Sequence, residues 1–384
     1  MHSRREFLKA LSVAGAGAIL PASELLAQQP KFKFASKAGA IDVHHHMAPP
    51  NLPGAVGGIA AGPRGAQPAG AAAAAARGGA RGGDARGGGA GRGAEDAAGQ
   101  RGGGRGAWTP QRSIEQMDKF GIGVSLLSLT QVGNVIYDNT EKGRAACRLV
   151  NEYGAKCMAD YPKRFGMFAS IPFPDVEGSL KEIAYAYDTL KADGISIYTN
   201  DNQGKWPGDP AHEPIWQELN RRNAILYMHP WVPACCSNLN YGAGSFMNEI
   251  DFETSRAVIS FITGGVLFKY PNLKLILAHS GGTLPVLAGR MKDRYPADKN
   301  QYIPNGLWAE FRKLYYDCAH ATYKFPWAAL TALVPPTQFL FGTDYSPEPI
   351  ESTMDNIPDL HLSKDVLDML ERTNAEKLFP RFKA

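Results

Sequence analysis

The sequence predicts a single (β/α)₈ barrel, that is, a TIM barrel of the α/β class, whose first strand is followed by a long insertion. Eight short runs rich in apolar and β-branched residues alternate with amphipathic stretches of helical period. Helices that alternate with strands connect parallel neighbours, and eight such strands close on themselves. The 384 residues, 44% of them hydrophobic, suffice for one such domain, which we place at residues 38–384. An open doubly wound sheet is the alternative. No G-x-G-x-x-G turn lies between a strand and a helix, which weighs against dinucleotide binding.

Residues 1–27 have the plan of an export signal. A charged start precedes an apolar run over 10–20 and small residues near 22–27. The run is shorter than the about 20 apolar residues that span a bilayer, so we expect no stable membrane insertion. The segment SRREFLK at 3–9 resembles the twin-arginine signal. This resemblance implies the twin-arginine export machinery as a partner, cleavage after Ala27, and a periplasmic or secreted mature protein.

The first predicted strand, 40–44, is followed by the insertion at residues 54–107. Gly, Ala and Arg dominate this segment, which holds 20 of the 42 glycines. It offers too little apolar surface to offset its ordering entropy, so we expect a disordered loop. It also carries seven Arg against three acidic residues, so the net charge of +4 resides largely here and the barrel is close to neutral. No aromatic residue is interleaved with the Arg-Gly runs, so we expect no nucleic-acid partner.

The other seven strands follow the insertion. They are predicted at 123–130, 165–171, 193–199, 224–229, 273–279, 313–318 and 338–343. Amphipathic stretches predict helices at 139–161, 177–191, 211–222, 250–269, 283–292 and 364–378. His212, ahead of the fifth strand, is expected at the surface.

Histidine and aspartate residues stand at the carboxyl ends of four predicted strands, where barrel active sites form. Strand one ends in His44-His45-His46, and strands five, six and eight end in His229, His279 and Asp344. Side chains alternate along a strand, so His44 and His46 are predicted to point together and His45 away. A single histidine at a strand end is commonly structural, whereas four such ends together predict a site.

Two histidines from one strand, a third from another and a carboxylate suit one divalent ion, with zinc favoured and manganese as the alternative. Such an ion leaves a position for water and lowers the pKa of that water from about 15.7 towards 7. Asp344 is placed to touch the ion and to accept a proton. His279, one strand away, is placed to act as an acid or base or to hold the substrate.

Five motifs resemble the amidohydrolase-related family, with aminocarboxymuconate-semialdehyde decarboxylase-like proteins as the closest subgroup. They are D-x-H-x-H at 42–46, H-P-W at 229–231, H-S-G-G-x-x-P at 279–285, G-T-D-Y at 342–345 and the closing Asn374-Ala375. The similarity runs from about 40 to 380 outside the insertion. It implies a metal-dependent enzyme with His279 as the catalytic histidine and with four metal ligands, His44, His46, His229 and Asp344.

The resemblance also implies a homodimer. Arg290 is similar to an arginine that reaches into a neighbouring subunit's site to hold a substrate carboxylate. A solvated helix charge is the alternative for this residue.

Three features depart from the family pattern. The fourth strand reads ISIYTN and offers no Lys to bridge two metal ions, so the site is predicted to be mononuclear. The insertion occupies the region of a further substrate-binding arginine, and no arginine there can be matched. Cys235, Cys236 and Asn238 follow His229 where substrate-shaping groups usually lie, so substrate specificity is not carried over.

The predicted ligand set serves two reactions. Non-oxidative decarboxylation of an aromatic or unsaturated carboxylic acid is favoured by the subgroup similarity and by Arg290. Metal-dependent hydrolysis of a lactone, ester or amide, with Asp344 moving the proton, is the alternative. A barrel that only binds a ligand is a third hypothesis, and the complete ligand set weighs against it.

Overall fold

The computed structural model describes residues 30–34, 36–50, 52, 108–129, 140–201, 204–233, 236 and 247–384. The predicted signal at 1–27, the insertion at 54–107, Cys235 and Asn238 lie outside these ranges. Among the described helices, none is both long enough and apolar enough to cross a membrane.

Eight parallel strands form one sheet in the order of the sequence, so the predicted barrel is confirmed. The strands are β1 (Ala40–Met47), β2 (Ile122–Leu129), β3 (Phe165–Ser170), β4 (Gly194–Tyr198), β5 (Ile225–His229), β6 (Lys274–Leu277), β7 (Tyr315–Asp317) and β8 (Phe339–Leu340). Each one overlaps its predicted position. The strands differ from the prediction mainly by ending earlier in β6, β7 and β8.

Helices cover the outside of the barrel. They are α1 (Pro110–Phe120), α2 (Glu141–Asp160), α3 (Val176–Asp188), α4 (Glu213–Arg221), α5 (Glu249–Thr263), α6 (Val266–Lys269), α7 (Leu284–Arg294), α8 (Leu307–Phe311), α9 (Lys324–Leu333), α10 (Glu351–Met354), α11 (Lys364–Asp368) and α12 (Asn374–Leu378). The helix predicted at 250–269 is two helices, because Gly265 adopts a φ of 86° that ends the regular turn. The prediction missed α1, which begins at a Thr109 cap and ends at Gly121 with a φ of 75°.

The barrel interior is apolar below the site. Inward side chains of alternate strand residues form one buried cluster that includes Ile41, Val43, Leu126, Phe168, Tyr227 and Leu340. The Phe168 and Tyr227 rings stack at a centroid distance of 5.0 Å. Residues of the C-terminal helix, among them Ala375 and Leu378, complete this cluster. The polar residues of the opposite end therefore stand on a closely packed floor.

The backbone of β1 carries an extra residue between Asp42 and His45. Asp42 pairs with Ser125 of β2, and His45 pairs with Leu127, so three steps on β1 match two steps on β2. This bulge lets Val43 face the apolar interior while the next residue, His44, faces the site.

The barrel closes where β8 meets β1. The Val43 amide donates to the carbonyl of Phe341 at 2.9 Å, and the Asp344 amide donates to the carbonyl of His44 at 2.8 Å. At this seam Gly342 is required, because a Cβ on it would lie 2.8 Å from the Cβ of His44 and 2.9 Å from that of Asp317. The seam therefore brings the ends of β1, β7 and β8 into direct contact.

Candidate active site

The structure brings the predicted polar residues together at the carboxyl end of the barrel. His44, His229, His279 and Asp344 each offer a ligand atom, and these atoms lie within 4.8 Å of one another. His46 joins them, since its Nε2 lies 3.1 Å from Nε2 of His44 and 3.0 Å from Oδ1 of Asp344. All five predicted metal-ligating or catalytic residues therefore meet in one cluster.

Outer partners orient three of the imidazoles in the same way. Nδ1 of His44 lies 2.9 Å from Oδ2 of Asp317, and Nδ1 of His229 lies 3.1 Å from the carbonyl oxygen of Pro230. Both partners can only accept, so Nδ1 carries a proton in each ring. In neutral His229 this leaves the lone pair of Nε2 facing the cluster, and His44 presents a lone pair there once its second proton is displaced. Nδ1 of His46 lies 3.1 Å from Oγ of Ser128 and leaves its Nε2 facing the same point. Histidines that bind a metal are oriented in this manner.

The donor set fits a divalent cation. Nε2 of His229 is buried and has no hydrogen-bond partner among the described residues. A buried nitrogen without a partner costs free energy, and a cation would satisfy it. The neighbouring donors are two further Nε2 atoms and a carboxylate oxygen, a combination that zinc and manganese both accept.

Asp344 presents a different neighbour to each of its oxygens. Oδ1 lies 3.2 Å from Nε2 of His44 and 3.0 Å from Nε2 of His46. Oδ2 lies 3.3 Å from Nε2 of His279 and 3.0 Å from Nε2 of His320. The carboxylate can therefore hold a cation through Oδ1 and share a proton with imidazoles through Oδ2.

In the metal-free cluster the histidines differ in pKa. Burial lowers the pKa of His46 and lowers that of His229 well below its ordinary value, so both are neutral and able to ligate. For His44, burial acts downward, but the charges of Asp317 and Asp344 raise its pKa to about 10. A proton on His44 thus compensates the buried carboxylates when no cation is bound. Metal binding has to displace this proton.

The pKa of Asp344 itself is strongly shifted. Burial alone would raise it, but the charge of His44 and hydrogen bonds from His279 and His320 lower it well below its ordinary value. The carboxylate is therefore ionised at neutral pH, as a metal ligand must be.

Asp317 is buried and binds a different part of the site through each of its two carboxylate oxygens. Its Oδ1 accepts hydrogen bonds from the amides of His279 at 3.0 Å and Ala319 at 3.1 Å. Its Oδ2 faces His44 and accepts from the Tyr227 hydroxyl at 3.4 Å. His320, three residues after Asp317, binds Asp344 and not Asp317.

His45 points away from the cluster, as predicted. Its Nδ1 lies 2.9 Å from Oδ2 of Asp42, and its Nε2 lies 3.0 Å from Oγ of Ser113 on α1. Asp42 also accepts from the amide and hydroxyl of Thr343, at 3.1 and 2.7 Å. The aspartate of the D-x-H-x-H motif therefore joins β1 to the end of β8 and does not enter the cluster.

His320 is the site residue that the sequence reasoning missed. Its ring is 43% exposed and lines a cavity of about 80 Å³ together with His279. The other walls are mostly apolar, with Asp251, Ser280, Gly282, Pro285, Val286, Ala321, Pro326 and Ala329. The available signal was its place three residues after Asp317, which ends β7.

Three residues of the site have left-handed backbone conformations. The φ angles of His279, His320 and Asp344 are 51°, 57° and 60°. Such angles are uncommon for residues other than glycine and tend to occur where function requires a particular side-chain direction.

Two other predicted positions differ in outcome. Arg290 is exposed on α7, and no hydrogen bond or ion pair within the described chain joins it to the cluster. His212 was expected at the surface, and that expectation was wrong. Its side chain is buried against Phe173, at a ring-centroid distance of 4.3 Å, because the loop before α4 folds inward.

Comparisons with known proteins agree with this architecture. A family model described as amidohydrolase matches residues 41–381. The chain is 32% identical to the decarboxylase macB of Penicillium terrestre over 292 residues, which cover 72% of this chain and 86% of that protein. It is also 32% identical to the 6-methylsalicylic acid decarboxylase of Penicillium expansum over 286 residues, covering 72% and 87%.

A solved structure has the same fold. It is a dihydroxybenzoic acid decarboxylase from a Polaromonas species with bound manganese and the inhibitor 2-nitroresorcinol. The TM-score is 0.64 at 21% identity, and the match covers 72% of this chain and 88% of that one.

Proposed function

The chain belongs to the amidohydrolase family, and from this premise we propose that it is a metal-dependent, non-oxidative decarboxylase of a small aromatic carboxylic acid. The observation that carries this proposal is the divided role of Asp344. One of its oxygens faces the histidine cluster, and the other faces two imidazoles that line a cavity. Relatives that are 32% identical over most of their length are decarboxylases.

One divalent cation would be held by His44, His46, His229 and Asp344. The Nε2 atoms and Oδ1 of these residues lie close together. His279 lies beside them, with its Nε2 3.3 Å from Oδ2 of Asp344, and the family resemblance makes it the catalytic histidine. When bound, the cation supplies positive charge that stabilises negative charge developing on substrate oxygens. We favour zinc, with manganese as the alternative.

The chain's own residues supply the proton that the reaction requires. Decarboxylation breaks the bond between the ring carbon and the carboxyl carbon, releases CO₂ and forms a C–H bond at the ring. The proton can be held between Oδ2 of Asp344 and Nε2 of His279 or His320. Hydrogen bonding to Asp344 opposes the effect of burial and raises the pKa of His320, which favours its protonated form. Its exposed edge faces the cavity where the ring would lie.

The reaction is tested by the products of the purified, metal-loaded chain. We expect CO₂ and the decarboxylated arene from 6-methylsalicylate or 2,6-dihydroxybenzoate. The double variant His44→Ala with His46→Ala should lose one equivalent of metal and all activity. Acid release from lactones or esters without CO₂ would establish the hydrolase alternative and contradict the proposal. Metal analysis of the isolated protein distinguishes zinc from manganese.

A homodimer in which Arg290 enters the partner's site extends the proposal. The described residues that line the cavity include no Lys or Arg, so any positive side chain that holds a substrate carboxylate beside the metal has to come from elsewhere. On α7, Arg290 is exposed and lies one turn from Val286, which lines the cavity and is 73% exposed. Sedimentation should give a dimer. Mixing Arg290→Ala chains with His46→Ala chains should restore activity, because half of the mixed sites are intact; a fully active monomer would contradict this arrangement.

Export by the twin-arginine route is the last part of the proposal. Residues 3–9 carry the motif, and the route is used for proteins that fold before export. The protein should appear in the periplasm or medium with a new N-terminus near residue 28. Replacing Arg4 and Arg5 with Lys should retain it in the cytoplasm, and export of that variant at the wild-type level would contradict the assignment.

A further inference from the structure

We propose that Thr199, supported by Asn200 and Glu253, is a positioning residue for the metal ligand His229. The proposal rests on the metal-binding function proposed above. None of the three residues belongs to the His/Asp cluster, and all three are buried.

One peptide group links Thr199 to His229. Its carbonyl oxygen belongs to Pro230 and lies 3.1 Å from Nδ1 of His229. Its N–H belongs to Trp231 and donates to Oγ1 of Thr199 at 2.9 Å. A peptide group is planar, so fixing the N–H also fixes the direction of the carbonyl. Thr199 therefore sets the orientation of the acceptor that holds the His229 ring.

The next carbonyl is held from the same side. The Trp231 carbonyl accepts from Oγ1 of Thr199 at 3.3 Å and from Nδ2 of Asn200 at 2.9 Å. The two residues that follow β4 thus fix the segment after His229 through both the N–H and the carbonyl of Trp231. This arrangement leaves the Pro230 carbonyl little freedom to turn away from the imidazole.

Glu253 fixes Asn200 in turn. The carboxylate lies on α5, is fully buried, and accepts from Nδ2 of Asn200 at 3.1 Å and from Nε1 of Trp206 at 2.6 Å. Its other oxygen accepts from Arg256 at 3.0 Å. A buried carboxylate persists when its oxygens are satisfied in this way. The network joins the loop after β4, the segment after His229 and α5, and it converges on one proposed metal ligand.

The consequence is a fixed tautomer. The Pro230 carbonyl can only accept, so His229 must carry its proton on Nδ1 and offer Nε2 as a ligand. If the peptide rotates, this preference is lost and the ring can protonate Nε2 or turn. Outer partners of ligating histidines typically contribute 10–100-fold to metal affinity.

The test is Mn²⁺ affinity of the full chain, measured by competition with a chelator. Thr199→Val keeps the shape of the side chain and removes the hydroxyl, and we expect it to weaken Mn²⁺ binding about 10–100-fold. Thr199→Ser retains the hydroxyl and should bind within about threefold of the wild type. Imidazole ¹⁵N shifts of the metal-free protein should show the Nδ1–H form of His229 in the wild type and a mixture of tautomers in Thr199→Val. Thr199→Ala serves the same comparison if the valine variant does not fold.

A second control separates positioning from general destabilisation. Trp216→Phe removes a buried hydrogen bond of 2.9 Å from Nε1 to the Pro207 carbonyl, which lies outside this network. It should lower the melting temperature and leave Mn²⁺ affinity unchanged. Wild-type affinity in Thr199→Val, or an equal loss in Trp216→Phe, overturns this inference alone. A wild-type chain that binds neither Mn²⁺ nor Zn²⁺ overturns the proposed function and this inference with it.

Discussion

Replacing Asp317 with Asn removes one charge from the centre of the site without changing its shape. In the wild type, Oδ1 accepts from the amides of His279 and Ala319, and Oδ2 faces Nδ1 of His44. An asparagine can keep both amide hydrogen bonds through its carbonyl oxygen. Its NH₂ group then faces His44, whose Nδ1 must become an acceptor. This moves the imidazole proton to Nε2, the atom that would bind the cation.

The magnitude follows from these contacts. The backbone turn retains its acceptor, so the loss is confined to the outer partner of one ligand. Such a loss weakens metal binding about 10–100-fold, which corresponds to about 1.4–2.8 kcal/mol. A buried hydrogen-bonding group left without a suitable partner costs about 1–3 kcal/mol, which is a similar amount. The two independent routes therefore give the same range.

The assay is a Mn²⁺ titration of the metal-free chain against a chelator, with folding monitored by circular dichroism. Asp193→Asn is the matched control, because Asp193 is a 5% exposed carboxylate that precedes β4, at the opposite end of the barrel. It binds the Met167 amide and Arg381, so its loss should lower stability without changing Mn²⁺ affinity. Mn²⁺ affinity within threefold of the wild type in folded Asp317→Asn would refute the tautomer argument.

Three further outcomes are expected. His46→Ala should lose the bound metal, whereas His45→Ala should keep one equivalent per chain and lose about 1–3 kcal/mol in free energy of unfolding. Metal analysis and denaturant titration distinguish the two variants. Metal loss in both would contradict the alternation along β1. His320→Asn should reduce kcat at least tenfold with little change in Mn²⁺ affinity, and unchanged CO₂ release would remove His320 from the proton path. For the metal-free protein, the pKa of His44 is raised to about 10. This contribution to stability is complete below its ordinary pKa of 6.5 and is lost as the pH rises through about 10. The free energy of unfolding should therefore be lower at pH 10 than at pH 6.5 by more than about 1.4 kcal/mol, the value of one pKa unit. A free energy of unfolding that rises towards pH 10 would contradict the assignment.

The fold and the residues of the histidine–aspartate cluster could be predicted from the sequence because both depend on local pattern. Apolar runs separated by amphipathic stretches located all eight strands, and strand alternation separated His45 from its two neighbours. Alternation along the strand does not predict the bulge after Asp42, which lets Val43 and His44 both face inward. Register irregularities arise from pairing with another strand and have no signature in one strand alone.

The outer contacts of the site could not be derived in the same way. Asp317 lies 273 positions from His44 in the chain, and the choice between His44 and His320 as its partner depends on the closure of the barrel at Gly342. The burial of His212 likewise depends on the path of a loop. Both contacts result from packing between distant segments, which residue type and spacing do not predict.

The left-handed backbone at His279, His320 and Asp344 has a consequence for mutagenesis. Alanine disfavours this conformation, so an alanine scan at these positions changes the backbone and removes the functional group in the same step. Activity lost in such a scan would overstate the chemical contribution of the side chain. Asparagine tolerates these angles far better and is the more informative replacement at all three positions. Glycine, which adopts the angles freely, can then report how much of any loss belongs to the main chain.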